Sequence, residues 1–186
     1  LKSGESPMES ANVRRATSSD IPLLAALDHH YSTDHVWQMG YSASSGDIAV
    51  SFREVRLPRA MRVEYPRDPG RLADEWNAKL TIQVAEAGEE RLGYVILVEG
   101  PAAGSAWITD LVVDLPHRRQ GVATRLVGAA REWALQARHG RMFLEMQSKN
   151  YPAICLARKV GFAFTGYSDR YYPDQDIALF FALDLA

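Results

Sequence analysis

The segment formed by residues 106–124, AWITDLVVDLPHRRQGVAT, combines an apolar strand, a basic turn and the start of a helix. A helix N-terminus presents backbone N–H groups that have no intrahelical partner, together with the positive end of the helix dipole, and therefore attracts anions. Arg118 and Arg119 add two permanent charges, while Gly121 and Ala123 are small enough to let a phosphate oxygen approach the main chain. The segment predicts a diphosphate-binding loop, with a merely capped helix as the alternative.

The same segment resembles motif A of the GNAT superfamily of acetyl-CoA-dependent N-acetyltransferases, with Ala123 in place of the family's second glycine. A second block, residues 144–162, resembles the next family motif through Asn150, Leu156, Gly161 and Phe162. The resemblance covers roughly residues 12–185 and implies acetyl-CoA as the co-substrate. The residues that it assigns to the cofactor are Leu111, Val112, Val113, Arg118, Arg119, Gln120, Gly121, Val122, Ala123, Thr124 and Asn150. In the family the pantetheine arm lies along the strand end like an added β-strand, which implies main-chain contacts at Leu111 and Val113.

Two carboxylates within apolar strand segments, Asp110 and Glu145, are candidates for the general base that acetyl transfer to an amine requires. A charge at Asp110 is costly unless it faces a cleft or has a partner. Glu145 lies five positions before Asn150, and this spacing resembles the ribosomal-protein N-terminal acetyltransferases, in which the matching Glu accepts the proton. A purely structural role for either carboxylate, and deprotonation relayed through water, are the alternatives.

The proton donor for the leaving thiolate departs from the family pattern. Many members have a Tyr seven residues after the Asn, where this chain has Ala157. The tail resembles that of streptothricin acetyltransferases, in which a Gly-x-x-Asp stretch precedes a Tyr, here Tyr172. Tyr172 is therefore the predicted catalytic tyrosine, and packing at a sheet edge is the alternative. Other phenols that could reach the sulfur are Tyr151, Tyr167 and Tyr171.

The acceptor amine is expected to contact the first helix, the loop after it and the final hairpin, since these segments flank the acceptor cleft in the family. The predicted substrate-binding residues are Asp28, Tyr31, Asp34 and Trp37. Carboxylates combined with aromatic rings suit a cationic amine through ion pairing and cation–π contact. The pattern favours a polyamine, an aminoglycoside-like antibiotic or a lysine side chain as acceptor.

Composition restricts the other classes of function. A net charge of −2 over 186 residues gives no global reason to expect a nucleic acid or a membrane surface as partner. Transmembrane and signal-peptide patterns are not found, which makes a cytoplasmic location the default expectation. The three histidines His29, His30 and His35 would not converge on one ion, so no metal is expected. The basic stretch of Arg53, Arg56, Arg59, Arg62 and Arg67 is interpreted as a solvated face, with a contact to an anionic acceptor or to the cofactor's phosphate as the alternative.

The order of elements predicts an α/β (α+β) fold: a single GNAT-like domain over residues 11–186, with a mixed central β-sheet and helices on both faces. Residues 1–10 are expected to be disordered or derived from a tag. Predicted strands cover residues 12–16, 47–57, 80–87, 91–100, 106–114 and 142–147, followed by two more within 162–185. Predicted helices cover residues 21–31, 32–39, 68–79, 122–140 and 150–160, and residues 40–46 are predicted to be a loop.

These observations predict an N-acetyltransferase that transfers acetyl from acetyl-CoA directly to a primary amine of a small molecule, such as an antibiotic, a polyamine or an amino-acid-like compound. One alternative is a protein or peptide acetyltransferase that acts on N-termini or lysines. Another is a non-catalytic acyl-CoA sensor, suggested by Ala157 at the position of the family's tyrosine. A homodimer is compatible with the sequence.

Overall fold

The computed structural model describes residues 11–76 and 81–185 of the chain. The predicted N-terminal segment 1–10 and the last turn of the predicted helix 68–79 lie outside these residues. The elements are, in order, β1 (Asn12–Arg15), α1 (Ile21–Ala25), β2 (Tyr31–Ser44), β3 (Asp47–Val63), α2 (Arg71–Glu75), β4 (Thr81–Ala87), β5 (Glu90–Glu99), β6 (Ser105–Val113), α3 (Val122–Gln136), β7 (Arg141–Gln147), α4 (Tyr151–Lys159), β8 (Ala163–Ser168) and β9 (Ala178–Asp184). A short 3₁₀ helix, Leu115–His117, lies between β6 and α3.

Seven strands form the main sheet in the order β1-β4-β5-β6-β7-β9-β8. The neighbouring pairs are antiparallel except β6 and β7, which are parallel because α3 carries the chain back across the sheet between them. The predicted mixed sheet is confirmed.

Helices cover both faces of this sheet, as predicted. Alternate residues of a strand point to opposite faces, and in β5 Val95 and Leu97 pack with α3 and α4. Tyr94 and Ile96 of the same strand pack with buried residues of α1 and α2. The two hydrophobic clusters hold the strands of the sheet in fixed register.

The predictions for residues 32–46 are wrong. Residues 32–39, predicted as a helix, and most of 40–46, predicted as a loop, form β2, which pairs with β3 in a separate two-stranded sheet. The ribbon is held against the body by Trp37, whose ring contacts Phe164 and Phe181 and whose backbone N–H donates to the carbonyl of Ser148 at 2.8 Å. Long-range contacts of this kind override a weak local pattern.

Helix α1 ends six residues earlier than predicted. The backbone N–H of Asp28 donates to the Asp114 carboxylate at 2.8 Å, and that of His30 donates to the Asp28 carboxylate at 2.9 Å. Asp and its local hydrogen bonds compete with the helical pattern, so the chain turns toward β2 after Ala25.

A buried carboxylate fixes the turn between β1 and α1. Asp20 is fully buried, and it accepts hydrogen bonds from Arg14 at 2.7 and 2.9 Å, from Arg91 at 2.7 Å and from the Thr17 backbone at 2.7 Å. The hydrogen bonds from Arg14 are the main reason that the pKa of Asp20 lies well below its ordinary value. This ion-pair network joins β1, β5 and the start of α1.

No helix of the described residues is long and apolar enough to cross a membrane.

Candidate active site

The strands β6 and β7 part at the centre of the sheet. Their parallel pairing ends at Ile108 and Leu144, although β6 stays paired with β5 as far as Val113 and β7 stays paired with β9 as far as Gln147. One edge of β6 beyond Ile108 therefore faces an opening rather than a neighbouring strand. Such an edge can add an extended ligand through main-chain hydrogen bonds.

Arg67, from the segment between β3 and α2, occupies the first position of this opening. Its Nη1 donates to the carbonyl oxygen of Thr109 at 2.8 Å, and its Nη2 donates to the carboxylate of Glu145. Thr109 and Glu145 follow directly after the last paired residues of the two strands. The guanidinium thus occupies the position where the next backbone hydrogen bond between β6 and β7 would form.

Glu145 is 6% exposed and has a partner on each carboxylate oxygen. Arg67 donates to one oxygen, and the hydroxyl of Tyr171 donates to the other at 3.1 Å. Burial raises the pKa of Glu145 above its ordinary value, although Arg67 and Tyr171 act in the opposite direction. A carboxylate with a raised pKa is a stronger base, as proton abstraction from an amine requires.

Asp110 lies on β6 in a different environment. Tyr65 donates to one of its oxygens and Arg71 donates to the other at 2.6 Å, and the side chain is fully enclosed. Burial alone would raise the pKa of Asp110, but Arg67 and Arg71 outweigh it, so that the pKa lies below its ordinary value. This enclosed, well-paired carboxylate is a weaker base than Glu145.

The two tail tyrosines differ in their surroundings. Tyr172 is 3% exposed, its ring lies 5.2 Å from the Arg67 guanidinium carbon, and burial raises the pKa of its hydroxyl. Tyr171 is 43% exposed, and its hydroxyl points to Glu145. Of the other predicted phenols, Tyr151 donates to Glu54 at 2.8 Å and Tyr167 packs on Phe52. Only the Tyr171–Tyr172 pair thus adjoins the Arg67–Glu145 contact among the phenols that the sequence singled out.

The predicted diphosphate loop leads into the N-terminus of α3. Gly121, the N-cap residue, has φ +87° and Arg119 has φ +63°, so the loop turns through two left-handed positions. No side chain within residues 11–76 and 81–185 caps this helix, and its first turn contains no acidic residue. The open N-terminus can accept an anion, and the exposed Arg119 adds positive charge beside it.

Arg118 has contacts that the sequence did not suggest. Its Nε donates to the carbonyl of Val113 at 2.7 Å, and its Nη2 donates to the carbonyl of Asp28. The side chain therefore links the end of β6 to the segment after α1. Its role in cofactor binding stays a prediction.

The other residues predicted to bind the cofactor differ in the solvent exposure of their side chains. Val112 and Val122 are buried, so they can contribute only main-chain groups. Leu111, Val113 and Ala123 are half-buried, and Gln120 and Thr124 are exposed. Asn150 caps α4 by accepting from the Ala153 N–H at 3.1 Å.

The four residues predicted to bind the acceptor have separate contacts. Tyr31 is buried and donates to Gln147 at 2.8 Å, while the exposed Asp34 accepts from His35 at 2.9 Å. Trp37 belongs to the aromatic contact that holds the β2–β3 ribbon, and Asp28 accepts from the His30 backbone. The Gln147 partner of Tyr31 lies on β7, two residues beyond Glu145.

Sequence reasoning missed the cationic and phenolic partners of the two carboxylates. Arg67 was grouped with a solvated basic stretch, which is correct for the exposed Arg53, Arg56, Arg59 and Arg62 but wrong for Arg67. Tyr65, which lies between β3 and α2, and Arg71, the first residue of α2, reach Asp110 from 45 and 39 residues away. The one local sign is Pro66, a turn residue that lies between the preceding strand and Arg67.

The fold and the site define a class of protein. An open helix N-terminus after a central strand, and a buried carboxylate where that strand parts from its parallel neighbour, suit a thioester cofactor and an amine acceptor. The model of the Acetyltransferase (GNAT) family matches residues 51–162, more than half of the chain. The chain belongs to the GNAT family and is an acetyl-CoA-dependent N-acetyltransferase.

One relative in sequence and two solved structures are similar to this chain over most of its length. Streptothricin acetyltransferase of Streptomyces lavendulae is 27% identical over 170 residues, covering 86% of this chain and 85% of the relative. The structure of nourseothricin acetyltransferase has a TM-score of 0.80 at 24% identity and covers 95% of this chain and 99% of that one. A Bacillus anthracis protein assigned to the streptothricin acetyltransferases, solved with acetyl coenzyme A, has a TM-score of 0.73 at 20% identity and covers 94% of this chain and 97% of that one. At these identities the two structures show the shared fold.

Proposed function

We propose that this enzyme acetylates a primary amine of a streptothricin-type antibiotic, with Glu145 as the general base. The observation that carries the proposal is the buried carboxylate of Glu145 at the β6–β7 opening, with its raised pKa and its paired oxygens. The acceptor class is supported by the similarity to the S. lavendulae streptothricin acetyltransferase, which extends over 86% of this chain.

The residues present fit acetyl-CoA. The left-handed turn at Arg119 and Gly121 opens the N-terminus of α3 toward an anion such as a diphosphate, and the free edge of β6 offers main-chain groups to an extended arm. Acetyl-CoA supplies an activated acetyl thioester when bound. The main chain of Leu111 and Val113 is the proposed contact for the arm, and Arg119 to Thr124 for the diphosphate.

Glu145 acts on the acceptor rather than on the thioester. The amine nitrogen forms a bond to the acetyl carbon as the carbon–sulfur bond breaks, and the proton that the nitrogen must lose passes to the Glu145 carboxylate. The departing thiolate takes a proton from a tyrosine. We assign this role to Tyr171, because its hydroxyl already lies at 3.1 Å from Glu145 and its side chain is accessible, whereas Tyr172 packs behind Arg67.

Negative charge near the opening suits an acceptor that carries several amines. Gln147, two residues beyond Glu145, donates to Asp176 at 2.6 Å and to Asp174 at 3.3 Å. Burial and the neighbouring Asp176 raise the pKa of Asp174, although Lys149, which pairs with Asp176 at 2.5 Å, acts in the opposite direction. Two carboxylates therefore share one cation at this point. A second cationic group of the acceptor would relieve that repulsion.

A panel of acceptors tests the proposal. Purified enzyme is mixed with acetyl-CoA and, in separate reactions, a streptothricin, an aminoglycoside, spermidine, a lysine-containing peptide and a peptide with a free N-terminus, and the released thiol is measured. Release of CoA with the streptothricin at a kcat/KM at least about tenfold above the others supports the proposed acceptor. Preferential turnover of a peptide contradicts it, and cofactor binding without any turnover identifies an acyl-CoA sensor.

A further inference from the structure

The guanidinium of Arg67 has two acceptors that belong to different strands. One N–H binds the Thr109 carbonyl on β6, and another binds the Glu145 carboxylate on β7. Because a guanidinium is a planar fork with several donors, it can bridge both acceptors at once, which a lysine ammonium on a flexible stem does less well. Arg67 therefore fixes the Glu145 side chain relative to the free edge of β6.

Arg67 is itself held in place. Its side chain is 18% exposed, and the Tyr172 ring packs against its guanidinium at 5.2 Å. Burial alone would lower the pKa of Arg67, but Asp110 and Glu145 raise it above its ordinary value. The Arg67 guanidinium thus stays positively charged over the pH range in which the enzyme would be assayed.

Three groups from different elements set the charge of Glu145. Arg67, before α2, and Tyr171, after β8, favour the ionised carboxylate, while Asp110 on β6 opposes it. Burial also opposes ionisation. Arg67 is the only permanent cation among these three. Without it, no positive charge among them would offset the effects of burial and Asp110, which raise the pKa of Glu145.

We infer that Arg67 is a positioning residue for acetyl transfer: it spans the parting of β6 and β7 and holds Glu145 ionised and directed at the opening, ready to accept the amine proton. This inference rests on the proposed role of Glu145 as base. It gives Arg67 a function that acts through Glu145, distinct from a contact with acetyl-CoA or the acceptor.

Variants that separate charge from geometry test this role. Arg67→Gln removes the charge, Arg67→Lys keeps the charge but loses the fork, and Arg59→Gln removes an exposed arginine of β3 as the control. Two quantities are measured: the titration midpoint of the Glu145 carboxylate by carbon-13 NMR in the protein without substrates, and kcat against pH. Thermal unfolding checks that each variant folds.

Arg67→Gln is expected to raise the Glu145 midpoint by about one unit or more and to lower kcat at neutral pH by about 10- to 100-fold. The acid limb of its pH profile should move upward with the midpoint, while KM for acetyl-CoA stays within about threefold. Arg67→Lys should keep a midpoint close to wild type but show a lower kcat, and Arg59→Gln should match wild type.

A double variant tests whether Arg67 acts through Glu145. The kcat of Arg67→Gln/Glu145→Gln should equal that of Glu145→Gln within about twofold, because the group on which Arg67 acts is already lost. A further large loss in the double variant, or equal Glu145 midpoints in wild type and Arg67→Gln, would overturn the inference. If Arg67→Gln does not fold, a wild-type kcat in Arg67→Lys overturns it. Absence of turnover in wild type would instead refute the proposed function, and the NMR titration would still report the effect of Arg67 on Glu145.

Discussion

The guanidinium of Arg67 donates to the carbonyl of Thr109 at 2.8 Å, at the residue where β6 loses its partner strand. A loop arginine thus satisfies a backbone acceptor that the sheet leaves open, and the same guanidinium contacts Glu145 on the strand that has moved away. The contact couples the geometry of the sheet to the ionisation of the proposed base. Asp110, by contrast, has Tyr65 and Arg71 as partners and is enclosed.

The two carboxylates should respond differently to neutralisation. Glu145→Gln is expected to lower kcat by about 100-fold or more with little change in acetyl-CoA affinity, because the amide cannot accept the amine proton. The variant should also lose some stability, because the buried pair with Arg67 loses one charge. Asp110→Asn is expected mainly to lower stability, by about 3 kcal/mol, because the fully enclosed side chain loses the charge that pairs with Arg71, which keeps the more exposed Glu75 as a partner. Steady-state kinetics and denaturant unfolding of both variants check this. Full activity in Glu145→Gln would rule out its role as base.

The pH dependence of the reaction should reflect Glu145. Because the base must be ionised, kcat is expected to fall as the pH drops through the pKa of Glu145, which burial raises above its ordinary value. The acid limb should therefore lie at a higher pH than that of an exposed glutamate. A pH profile at saturating acetyl-CoA and acceptor measures it, and an acid limb that persists unchanged in Glu145→Gln would assign it to another group.

Replacement of Gly121 should abolish cofactor binding. Gly121→Glu places a side chain and a negative charge at a left-handed position of the helix N-terminus, where a diphosphate would approach. Gly128→Glu makes the same change at an exposed position of α3 where an added Cβ would meet nothing within 4 Å. Calorimetric titration with acetyl-CoA should show no binding to the first variant and wild-type affinity for the second. Equal affinities would refute the diphosphate loop.

The two tail tyrosines can be separated by removing each hydroxyl. Tyr171→Phe is expected to lower kcat by about tenfold or more, because its accessible hydroxyl lies beside Glu145. Tyr172→Phe should have the smaller effect, since the ring that packs on Arg67 is kept. The measurement is kcat for both variants at one pH. A larger loss of kcat in Tyr172→Phe than in Tyr171→Phe would instead assign the role of proton donor to Tyr172, the tyrosine that the sequence predicts.

The Asp20 network should dominate stability at the β1–α1 turn. Asp20→Ala is expected to cost about 3 kcal/mol, whereas Asp184→Ala, which removes an exposed partner of Arg141, should cost less than about 1 kcal/mol. Because the folded pKa of Asp20 lies below its unfolded value, its contribution is present above about pH 4 and is lost as the pH falls further. Denaturant unfolding at neutral and acidic pH measures both effects. A cost that does not decrease in acid would contradict the assignment.

The central half of the fold could be predicted from local patterns. The hairpin of β4 and β5, strand β6 and helix α3 show strong periodicity and glycine or turn residues at their ends. Of the β2–β3 ribbon, the strand predicted over residues 47–57 is the first part of β3. Strand β2 could not be predicted, because residues 32–39 carry no clear period and its position depends on Trp37 reaching Phe181 from a distant part of the chain.

The site was predictable only where its residues lie on strongly patterned elements. Asp110 and Glu145 stand out as charges within apolar strands, and Gly121 stands out before a helix. Arg67 lies in a loop 78 residues before Glu145, and a loop arginine next to Asp68 and Pro69 is usually solvated. Only the folded sheet shows that this loop reaches the opening.

The most direct test of the proposed function is to incubate the enzyme with acetyl-CoA and a streptothricin and to determine the product by mass spectrometry, with Glu145→Gln as the control. We expect the wild type to convert the antibiotic into a species that carries one added acetyl group on an amine, and the variant to form it about 100-fold more slowly. An unmodified antibiotic, from an enzyme that binds acetyl-CoA and acetylates a different amine, would contradict the proposed acceptor.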